Sequence, residues 1–395
     1  MNEFFTRASE LLPEIQKAQR TIHSYGGRGF DLRPSADFLT GELQKMGISV
    51  REIGPCCLVG DIGPEDGKTI LLRADFDALP LEELTGFPYA ATNHTCHACG
   101  HDYHAAMLLY AAKMLKERES ELPGRVRLMF QPAEETFEGG RLMTQNGVLD
   151  GVDSAFAMHI AAGRETSDAC TIRYSRGATY SAVNKFRIEI EGHGGHGALP
   201  HLTVDPISVG ARVVLGIQQL LAMERPADQM LVVSFGTFHC GDVFNVIPNT
   251  AVMEGTIRTF DADVRQLALR RVREIAEGTA AAMRAKATVY FDPNGGGDAV
   301  INNKEMAEEL FPWMEDVTGK GKTALLDTPA SFGSEDFCFV SGAVPSVIIA
   351  LGAGSISEGY EYGMHNPRVR FDDRALAVGA ATHANVAMNW LKAHR

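Results

Sequence analysis

The sequence has few cysteines, no excess of basic residues and no long apolar run. Seven cysteines in 395 residues is an odd number and too few for a disulfide scaffold, so we expect reduced thiols. With 37 Lys and Arg against 50 Asp and Glu, the formal charge of −13 argues against nucleic acid or an anionic membrane surface as a main partner. No apolar run approaches the roughly 20 residues of a membrane span. The N-terminus lacks the basic and apolar regions of a signal peptide. We therefore expect a cytoplasmic protein.

The first 180 residues or so alternate between helical and strand patterns. Apolar residues at helical spacing predict helices over 3–24, Ser35–Met46 and His104–Arg118. Short apolar runs predict buried strands at Thr69–Arg73, Arg125–Phe130 and Ala155–His159. The alternation resumes late in the chain, with a strand at Val344–Leu351 and a closing helix at Arg374–Lys392. This order predicts an α/β domain with a mostly parallel sheet, whose functional groups gather at the carboxyl ends of strands.

The middle of the chain has a different pattern. Asn184–Glu191 alternates strictly between apolar and polar residues, as a half-exposed antiparallel strand does. The segments that follow read as a helix, two strands, a helix and a strand, near 204–223, 230–238, 249–260, 262–285 and 287–291. This β-α-β-β-α-β order predicts a smaller two-layer α+β domain of ferredoxin-like type with one open sheet face. We therefore predict a domain of residues 1–182 and 296–395, interrupted by an inserted domain of residues 183–295.

A cluster of histidines and cysteines is the first indication of chemistry. Four of the thirteen histidines fall within eleven residues, interleaved with two cysteines: His94, Cys96, His97, Cys99, His101 and His104. Cys99 and His101 are two residues apart at a loop before a helix, where a thiolate and an imidazole can face one cation. The alternative is a redox or structural loop. A thioredoxin-like Cys-x-x-Cys site, however, needs neither the flanking histidines nor the acids described next.

Acidic residues follow two of the predicted strands. Glu134 and Glu135 come directly after the strand Arg125–Phe130. Adjacent side chains point to different sides, so one carboxylate can bind metal while the other faces substrate as a base. Asp75 and Asp77 follow Thr69–Arg73 at alternate positions and therefore face the same side. Solvated surface acids are the alternative for each pair.

Single histidines occupy two more such positions. His159 ends a predicted strand, and His365 lies between a Gly-rich loop and the closing helix. An isolated histidine is often structural. Four separate strand ends that each carry a metal-type ligand nevertheless favour a metal site at one edge of the sheet.

Taken together, these motifs resemble the M20 metallopeptidase superfamily. The segments are RADFDALP, HACGHDYHAAMLLYAA, QPAEE, the AMH strand end and MHNPRVRFDD, in that order from about residue 70 to the C-terminus. They are most similar to the amidohydrolase branch, which acts on N-acyl amino acids and auxin conjugates. The resemblance implies a di-metal catalytic domain with an inserted lid and dimerisation domain. It implies that the metal ligands are Cys99, His101, Glu135, His159 and His365.

The resemblance also implies roles for neighbouring acids. Glu134 is expected to be the general base, and Asp77 to hold a ligand histidine. Asp75 stands where related branches have a ligand histidine, which fits a site that takes its ligands from the Cys-Gly-His segment instead.

In the inserted domain the resemblance implies three further site residues. His196, in a Gly/His-rich loop, corresponds to a lid histidine that reaches the scissile carbonyl, often across a dimer. Asn245 and Arg258 match positions that hold the free carboxylate of the substrate, and an arginine fork suits that role. The alternatives are a flexible Gly-rich turn for His196 and a surface salt bridge for Arg258. The segment His23–Gly27 departs from the family's His-x-x-Pro-Glu pattern, so acyl and amino-acid preference are not implied.

These features lead to a functional hypothesis with two alternatives. We expect a metal-dependent amidohydrolase that releases the acyl group from small N-acyl amino acids and forms a homodimer through the lid domain. Mixed sulfur, nitrogen and oxygen ligands suit two divalent ions of zinc, manganese, cobalt or nickel. A dipeptidase or carboxypeptidase on the same scaffold, acting on peptides, is the first alternative. A non-catalytic zinc-binding module is the second.

Overall fold

The computed structural model describes residues 2–329 and 331–395, which form two compact units. Unit 1 combines the chain up to Thr179 with the segment Val300–Arg395, and unit 2 is Tyr180–Ala299. The predicted inserted domain, 183–295, starts three residues after unit 2 begins and ends four residues before unit 2 ends.

The helices and strands have the following bounds. The helices are α1 (Glu3–Glu10), α2 (Leu12–Tyr25), α3 (Arg33–Lys45), α4 (His101–Glu117), α5 (Gly139–Gln145), α6 (Pro206–Met223), α7 (Ala262–Ala282), α8 (Lys304–Thr318), α9 (Cys338–Ser341) and α10 (Arg374–Ala393). The strands are β1 (Val50–Glu52), β2 (Leu58–Ile62), β3 (Thr69–Asp75), β4 (Arg125–Gln131), β5 (Ser154–Ala161), β6 (Ile172–Ser175), β7 (Ala178–Tyr180), β8 (Ala182–Glu191), β9 (Gly195–His196), β10 (Leu231–Cys240), β11 (Val246–Ile247), β12 (Thr250–Thr259), β13 (Lys286–Phe291), β14 (Val300–Ile301), β15 (Thr323–Leu326) and β16 (Ser346–Gly352).

Unit 1 is built on an eight-stranded mixed sheet in the order β1-β2-β4-β3-β5-β16-β6-β15. The four central strands β4, β3, β5 and β16 run parallel to one another, and antiparallel pairs join β1 to β2, β2 to β4 and β16 to β6. All seven residues of β3 are buried, as expected for a strand covered on both faces. The prediction of an α/β fold with a mostly parallel sheet is confirmed.

Two predicted helices have different bounds in the structure. The helix predicted over 3–24 is divided at Leu11, where α1 ends and α2 begins with Pro13 in its first turn. The helix predicted from His104 starts one turn earlier, at His101, after Gly100. Gly100 has a φ of +79°, and a Cβ there would lie 2.4 Å from the side chain of Ile160. Glycine is therefore required at this turn, and the turn places His101 at the first position of α4.

Unit 2 contains a four-stranded antiparallel sheet in the order β10-β12-β8-β13. Apolar side chains of α6 and α7 form a core with inward-facing residues of this sheet. The ten-residue strand β10 is one edge of the sheet. By length and composition alone, α6 could cross a membrane, with 18 residues of mean hydropathy 1.3. This is weak evidence, because a helix that buries one side in a protein core passes the same test.

The arrangement of unit 1 brings several predicted site residues to one edge of its sheet. β3 ends at Asp75, β4 ends at Gln131 just before Glu134, and β5 carries His159 near its end. Because β4, β3 and β5 are adjacent and parallel, their carboxyl ends meet at the same edge.

Candidate metal centre

The structure brings the five predicted metal ligands together in unit 1. Potential ligand atoms of Cys99, His101 and His159 lie within 4.8 Å of one another, and so do those of Cys99, Glu135 and His365. The thiol is central to both groups. Cys99 Sγ lies 3.5 Å from Nε2 of His159 and 3.3 Å from Nε2 of His365. Potential ligand atoms of His101, Glu134 and Glu135 form a further group of this kind. The cluster is thus continuous, with Cys99 between its two halves.

Hydrogen bonds orient two of the histidines with Nε2 towards the cluster. His101 Nδ1 lies 3.1 Å from Oδ1 of Asp77, and His159 Nδ1 lies 2.6 Å from the carbonyl oxygen of Ile160. A carbonyl or ionised carboxylate oxygen only accepts, so each Nδ1 carries the proton and each Nε2 keeps a lone pair. This is the usual arrangement around a metal-binding histidine.

Two polar atoms in the cluster test whether it fits a metal. Nε2 of His101 and Oε1 of Glu135 are buried without a hydrogen-bond partner. Buried polar atoms are normally paired, and a bound cation would satisfy both of these. The donor set of one thiol, three imidazoles and carboxylates matches the ligands of zinc and related transition metals. The residues therefore fit bound divalent cations.

Asp77 contacts two of the predicted ligands. Its Oδ1 accepts a hydrogen bond of 3.1 Å from Nδ1 of His101, and its Oδ2 accepts one of 3.2 Å from the backbone amide of Glu135. Asp77 is 1% exposed. One buried carboxylate thus fixes both the ring of His101 and the backbone at Glu135.

His104 is close to the cluster but is not available as a ligand. Its Nδ1 lies 2.5 Å from Oδ1 of Asp75, and its Nε2 accepts a hydrogen bond of 2.9 Å from the amide of Ile160. Burial lowers the pKa of His104 to about 3, so the ring is neutral and both nitrogens are already used. His104 therefore links β3 to β5 beneath the cluster.

Glu134 is buried and lies beside the ligands. Its Oε2 is 3.9 Å from Nε2 of His101, and its Oε1 accepts a long hydrogen bond of 3.4 Å from the amide of Asp336. Burial raises the pKa of the Glu134 carboxyl well above its usual range, and the charges of Glu335 and Glu135 raise it further. Burial also raises the pKa of Glu135 to about 7. Neighbouring positive charge would reverse both shifts.

Sequence reasoning missed three buried charged residues beside the site: Arg73, Glu335 and Asp336. The Arg73 guanidinium forms ion pairs with Asp75, Glu335 and Asp336 at 2.8 to 2.9 Å. Two signals were present in the sequence. Arg73 is a charged residue at the end of an otherwise apolar strand, and Glu335-Asp336 is a second pair of adjacent acids like Glu134-Glu135.

Other members of the histidine and cysteine segment lie outside the cluster. His94 is exposed and pairs with Glu82. His97 is buried, with Nδ1 4.0 Å from Asp102. Cys96 belongs to a small separate core, and among the described residues the candidate metal groups include Cys99 but not Cys96. A site built on the Cys-x-x-Cys pair is therefore not supported.

The three site residues predicted in the inserted domain lie in unit 2. His196 is exposed in β9, which pairs with β11, and the amide of Gly197 donates to the carbonyl of Asn245 at 2.9 Å. Nδ1 of His196 accepts a hydrogen bond of 3.0 Å from the amide of Ala198. Arg258 is half-buried on β12, and burial lowers the pKa of its guanidinium. The structure thus brings the segments of His196 and Asn245 together.

Fold and site together define a metal-dependent hydrolase: a mixed, mostly parallel sheet carries thiol, imidazole and carboxylate ligands near the carboxyl ends of its parallel strands, with an additional carboxylate beside them. Residues 71–389 match Peptidase family M20/M25/M40, and the chain belongs to this family. The resemblance seen in the sequence motifs is confirmed.

Named relatives agree with this assignment. The chain is 34% identical over 375 residues to N-acetyl-L-cysteine deacetylase of Bacillus subtilis (strain 168), covering 93% of this chain and 86% of the relative. It is 33% identical over 396 residues to IAA-amino acid hydrolase ILR1-like 2 of Arabidopsis thaliana, covering 98% and 88%. Among solved structures it is similar to the Bacillus subtilis YXEP protein, a dinuclear metal binding peptidase from the M20 family. The TM-score is 0.80 and the identity 29%, over 97% of this chain and 99% of the other.

Proposed function

We propose that the protein hydrolyses the amide bond of N-acyl amino acids, with Glu134 as general base beside a two-metal centre. The observation that carries the proposal is the position of Glu134. Its carboxylate lies 3.9 Å from Nε2 of His101, at the edge of the ligand cluster, and accepts only a long bond of 3.4 Å from the amide of Asp336 among the described side-chain hydrogen bonds. It is therefore free to exchange a proton with a water at the cluster.

Five side chains would hold the cations, through the Sγ, Nε2 and carboxylate oxygens of Cys99, His101, Glu135, His159 and His365. When bound, the cations supply a water of lowered pKa and a Lewis acid for the substrate carbonyl. Glu134 would take a proton from that water as the amide carbon is attacked. It would then deliver the proton to the leaving nitrogen. The buried position of Glu134 keeps bulk water from competing for this proton.

Residues of unit 2 are proposed to bind the substrate. Because Nδ1 of His196 accepts the Ala198 amide, the neutral ring carries its proton on Nε2. His196 therefore presents an N–H donor, the group needed to stabilise the oxyanion of the tetrahedral intermediate. Asn245 and Arg258 are proposed to bind the substrate's free carboxylate. The names of two relatives, an N-acetylcysteine deacetylase and an IAA-amino acid hydrolase, support an N-acylated amino acid as the substrate class.

The proposal is tested with Glu134→Gln and a panel of substrates. We expect the variant to retain its metal and to lose hydrolysis of acylated amino acids, because glutamine cannot accept the proton. Glu138→Gln is the matched control, since Glu138 lies four residues away, is exposed, and its carboxylate accepts a hydrogen bond of 2.7 Å from the hydroxyl of Thr136. Full activity in Glu134→Gln would remove Glu134 from the role of base.

The same panel separates the enzyme alternatives. A preference for dipeptides with a free α-amino group would assign the chain to the peptidase alternative, which the family name and the YXEP description favour. The non-catalytic zinc module is not supported, because a structural site is a closed shell of four ligands. This cluster offers five predicted ligands and the additional Glu134.

We also propose that the chain forms a homodimer in the cytoplasm through unit 2. The edge strand β10 exposes Val232 and Phe238, and the adjacent helix α6 exposes Leu215 at 65%. Sedimentation velocity should give the mass of two chains. Leu215→Glu should shift the mass to one chain, whereas the equally exposed Leu202→Glu, on a short turn outside β10 and α6, should not.

A further inference from the structure

Arg73 is a buried charged residue at the carboxyl end of β3, and each nitrogen of its guanidinium faces a different group. Nη1 lies 2.8 Å from Oδ2 of Asp75, and Nε donates to Oε1 of Gln131 at 2.9 Å. Nη2 lies 2.9 Å from Oε1 of Glu335 and 2.8 Å from Oδ1 of Asp336. The side chain of Arg73 is fully buried. A buried guanidinium is costly unless it is paired, and here the pairing spans residues 262 positions apart.

On one side, Arg73 contacts Glu335 and Asp336, and Asp336 in turn contacts Glu134. The backbone amide of Asp336 donates to Oε1 of Glu134. The side chain of Asp336 accepts from Gln131 at 2.7 Å and from the amide of Gly140 at 2.8 Å. The Arg73 guanidinium is thus one of three donors that hold the side chain of Asp336. Because the side chain is held, the backbone amide of Asp336 stays in place to donate to the carboxylate of Glu134.

On the other side, Arg73 contacts Asp75, which lies next to two histidines at the metal cluster. Oδ1 of Asp75 pairs with His104, and Oδ2 of Asp75 lies 3.7 Å from Nε2 of His101. The planar fork of an arginine can bind two acceptors in fixed directions, which a lysine ammonium cannot do. Arg73 therefore sets the spacing between Asp75 and the segment Glu335–Asp336.

We propose that Arg73 is a positioning residue for the reaction: its guanidinium holds Glu335 and Asp336 so that the Asp336 amide keeps the Glu134 carboxylate aligned with the metal cluster. This inference rests on the proposed function, because it assigns a purpose to Arg73 only if Glu134 is the base. A purely structural arginine is the competing explanation.

The chain offers a matched control for a structural role. Arg127 is 5% exposed on the neighbouring strand β4. It pairs with Asp61 at 2.9 Å and donates to the carbonyls of Val148 and Asp150. It has the same side chain and nearly the same burial, but these contacts do not reach the cluster. Arg127→Lys therefore measures what the loss of a buried arginine fork costs the fold alone.

The experiment compares Arg73→Lys with Arg127→Lys in the metal-loaded enzyme, using an N-acyl amino acid that the wild type hydrolyses. We expect kcat of Arg73→Lys to fall by about 10- to 100-fold, since misplacing a catalytic group by about 1 Å has this effect. KM should stay within about twofold of the wild type, and metal content should be unchanged. Arg127→Lys should keep kcat within about twofold. An equal fall in kcat for both variants would overturn the proposal. Loss of metal from Arg73→Lys would also overturn it, because the effect would then run through Asp75.

A second variant decides the matter if Arg73→Lys does not fold. Glu335→Gln leaves the arginine in place and removes one anchor of the segment, so kcat should fall with KM and metal content retained. An unchanged kcat in Glu335→Gln would refute the positioning role. Failure of the proposed function is recognised separately, because it would appear as inactive wild-type enzyme on acylated amino acids or as an active Glu134→Gln variant.

Discussion

Asp77 holds His101 and the backbone of Glu135 at the same time. Oδ1 of Asp77 lies 3.1 Å from Nδ1 of His101, and its Oδ2 accepts the Glu135 amide at 3.2 Å. One carboxylate thus connects a helix that begins at a Cys-Gly-His turn with a loop that follows β4. The role expected for Asp77 from the sequence, holding a ligand histidine, agrees with this contact and stays a prediction until it is tested.

The Asp77 contact predicts an effect on metal affinity. Asp77→Ala should weaken metal binding by about 10- to 100-fold, as is typical when the partner of a ligand histidine is removed. Asp61→Ala is the control, because it also removes an aspartate that pairs with a side chain on another strand. Asp61 is on β2 and pairs with Arg127 on β4. The measurement is competition for zinc against a chelator of known affinity. Equal affinity in Asp77→Ala and wild type would show that His101 does not need this partner.

His101 and His104 form a matched pair on one helix, both fully buried. His101→Ala should lose at least one metal ion per chain, because Nε2 of His101 faces the cluster. His104→Ala should keep the metal but lower the thermal midpoint, because it leaves Oδ1 of Asp75 and the Ile160 amide without their partner, at about 1–3 kcal/mol for each buried group. Metal analysis and thermal unfolding of both variants check this. Metal loss from His104→Ala would contradict the assignment.

His23 predicts a dependence of stability on pH. Burial lowers the pKa of His23, but hydrogen bonds to Asp102 at 2.8 Å and to Glu83 at 3.0 Å outweigh it and raise the pKa to about 9. A pKa raised on folding stabilises the folded state fully below the ordinary value of about 6.5, and this contribution is lost as pH rises through about 9. The contribution is up to about 3 kcal/mol, from about 1.36 kcal/mol for each pKa unit. Nearby His97, whose pKa burial lowers to about 4, stays neutral throughout this range.

The test compares the wild type with His23→Gln from pH 6 to 9.5. The difference between their thermal midpoints should be constant near pH 6 and shrink steadily between about pH 6.5 and 9. His94→Gln is the control, because His94 is exposed, and its midpoint should follow the wild type at every pH. A difference for His23→Gln that grows with pH would have the opposite sign and would refute the ion pair.

His196 predicts a split between turnover and metal content. His196→Ala should lower kcat by about 10²- to 10³-fold, the usual effect of removing one oxyanion donor. Metal content should not change, because the predicted ligands all lie in unit 1. His201→Ala, an exposed histidine five residues later, should keep full turnover. Loss of metal from His196→Ala would instead make His196 a metal ligand.

Much of the fold could be predicted because it depends on local patterns. The strands β3, β4 and β5 appear as short apolar runs, and their parallel order places Asp75, Glu134 and His159 at one edge. β2 was not predicted, although four of its five residues are buried, because Gly60 and Asp61 interrupt its apolar pattern. The helix over 3–24 was predicted as continuous because its periodicity persists across Leu11.

The site could be predicted only in part, since the motifs name residues but not their partners. Among four clustered histidines, the roles of His101 and His104 differ only in what each ring nitrogen contacts, and this depends on Asp77, Asp75 and β5. The pairing of Arg73 with Glu335 joins positions 262 residues apart. Spacing within the sequence carries no information about such a contact.

The left-handed turn at Gly100 affects how the protein would bind its metal ions. This turn against Ile160, together with the Asp77 and Ile160 bonds to the histidine rings, fixes Cys99, His101 and His159 through contacts made by the polypeptide itself. The chelating pocket is therefore preorganised. The cations should therefore bind to ligand side chains that are already in position. A zinc finger, in contrast, folds around its ion. Apoenzyme prepared by dialysis should be ready to accept a different transition metal without refolding.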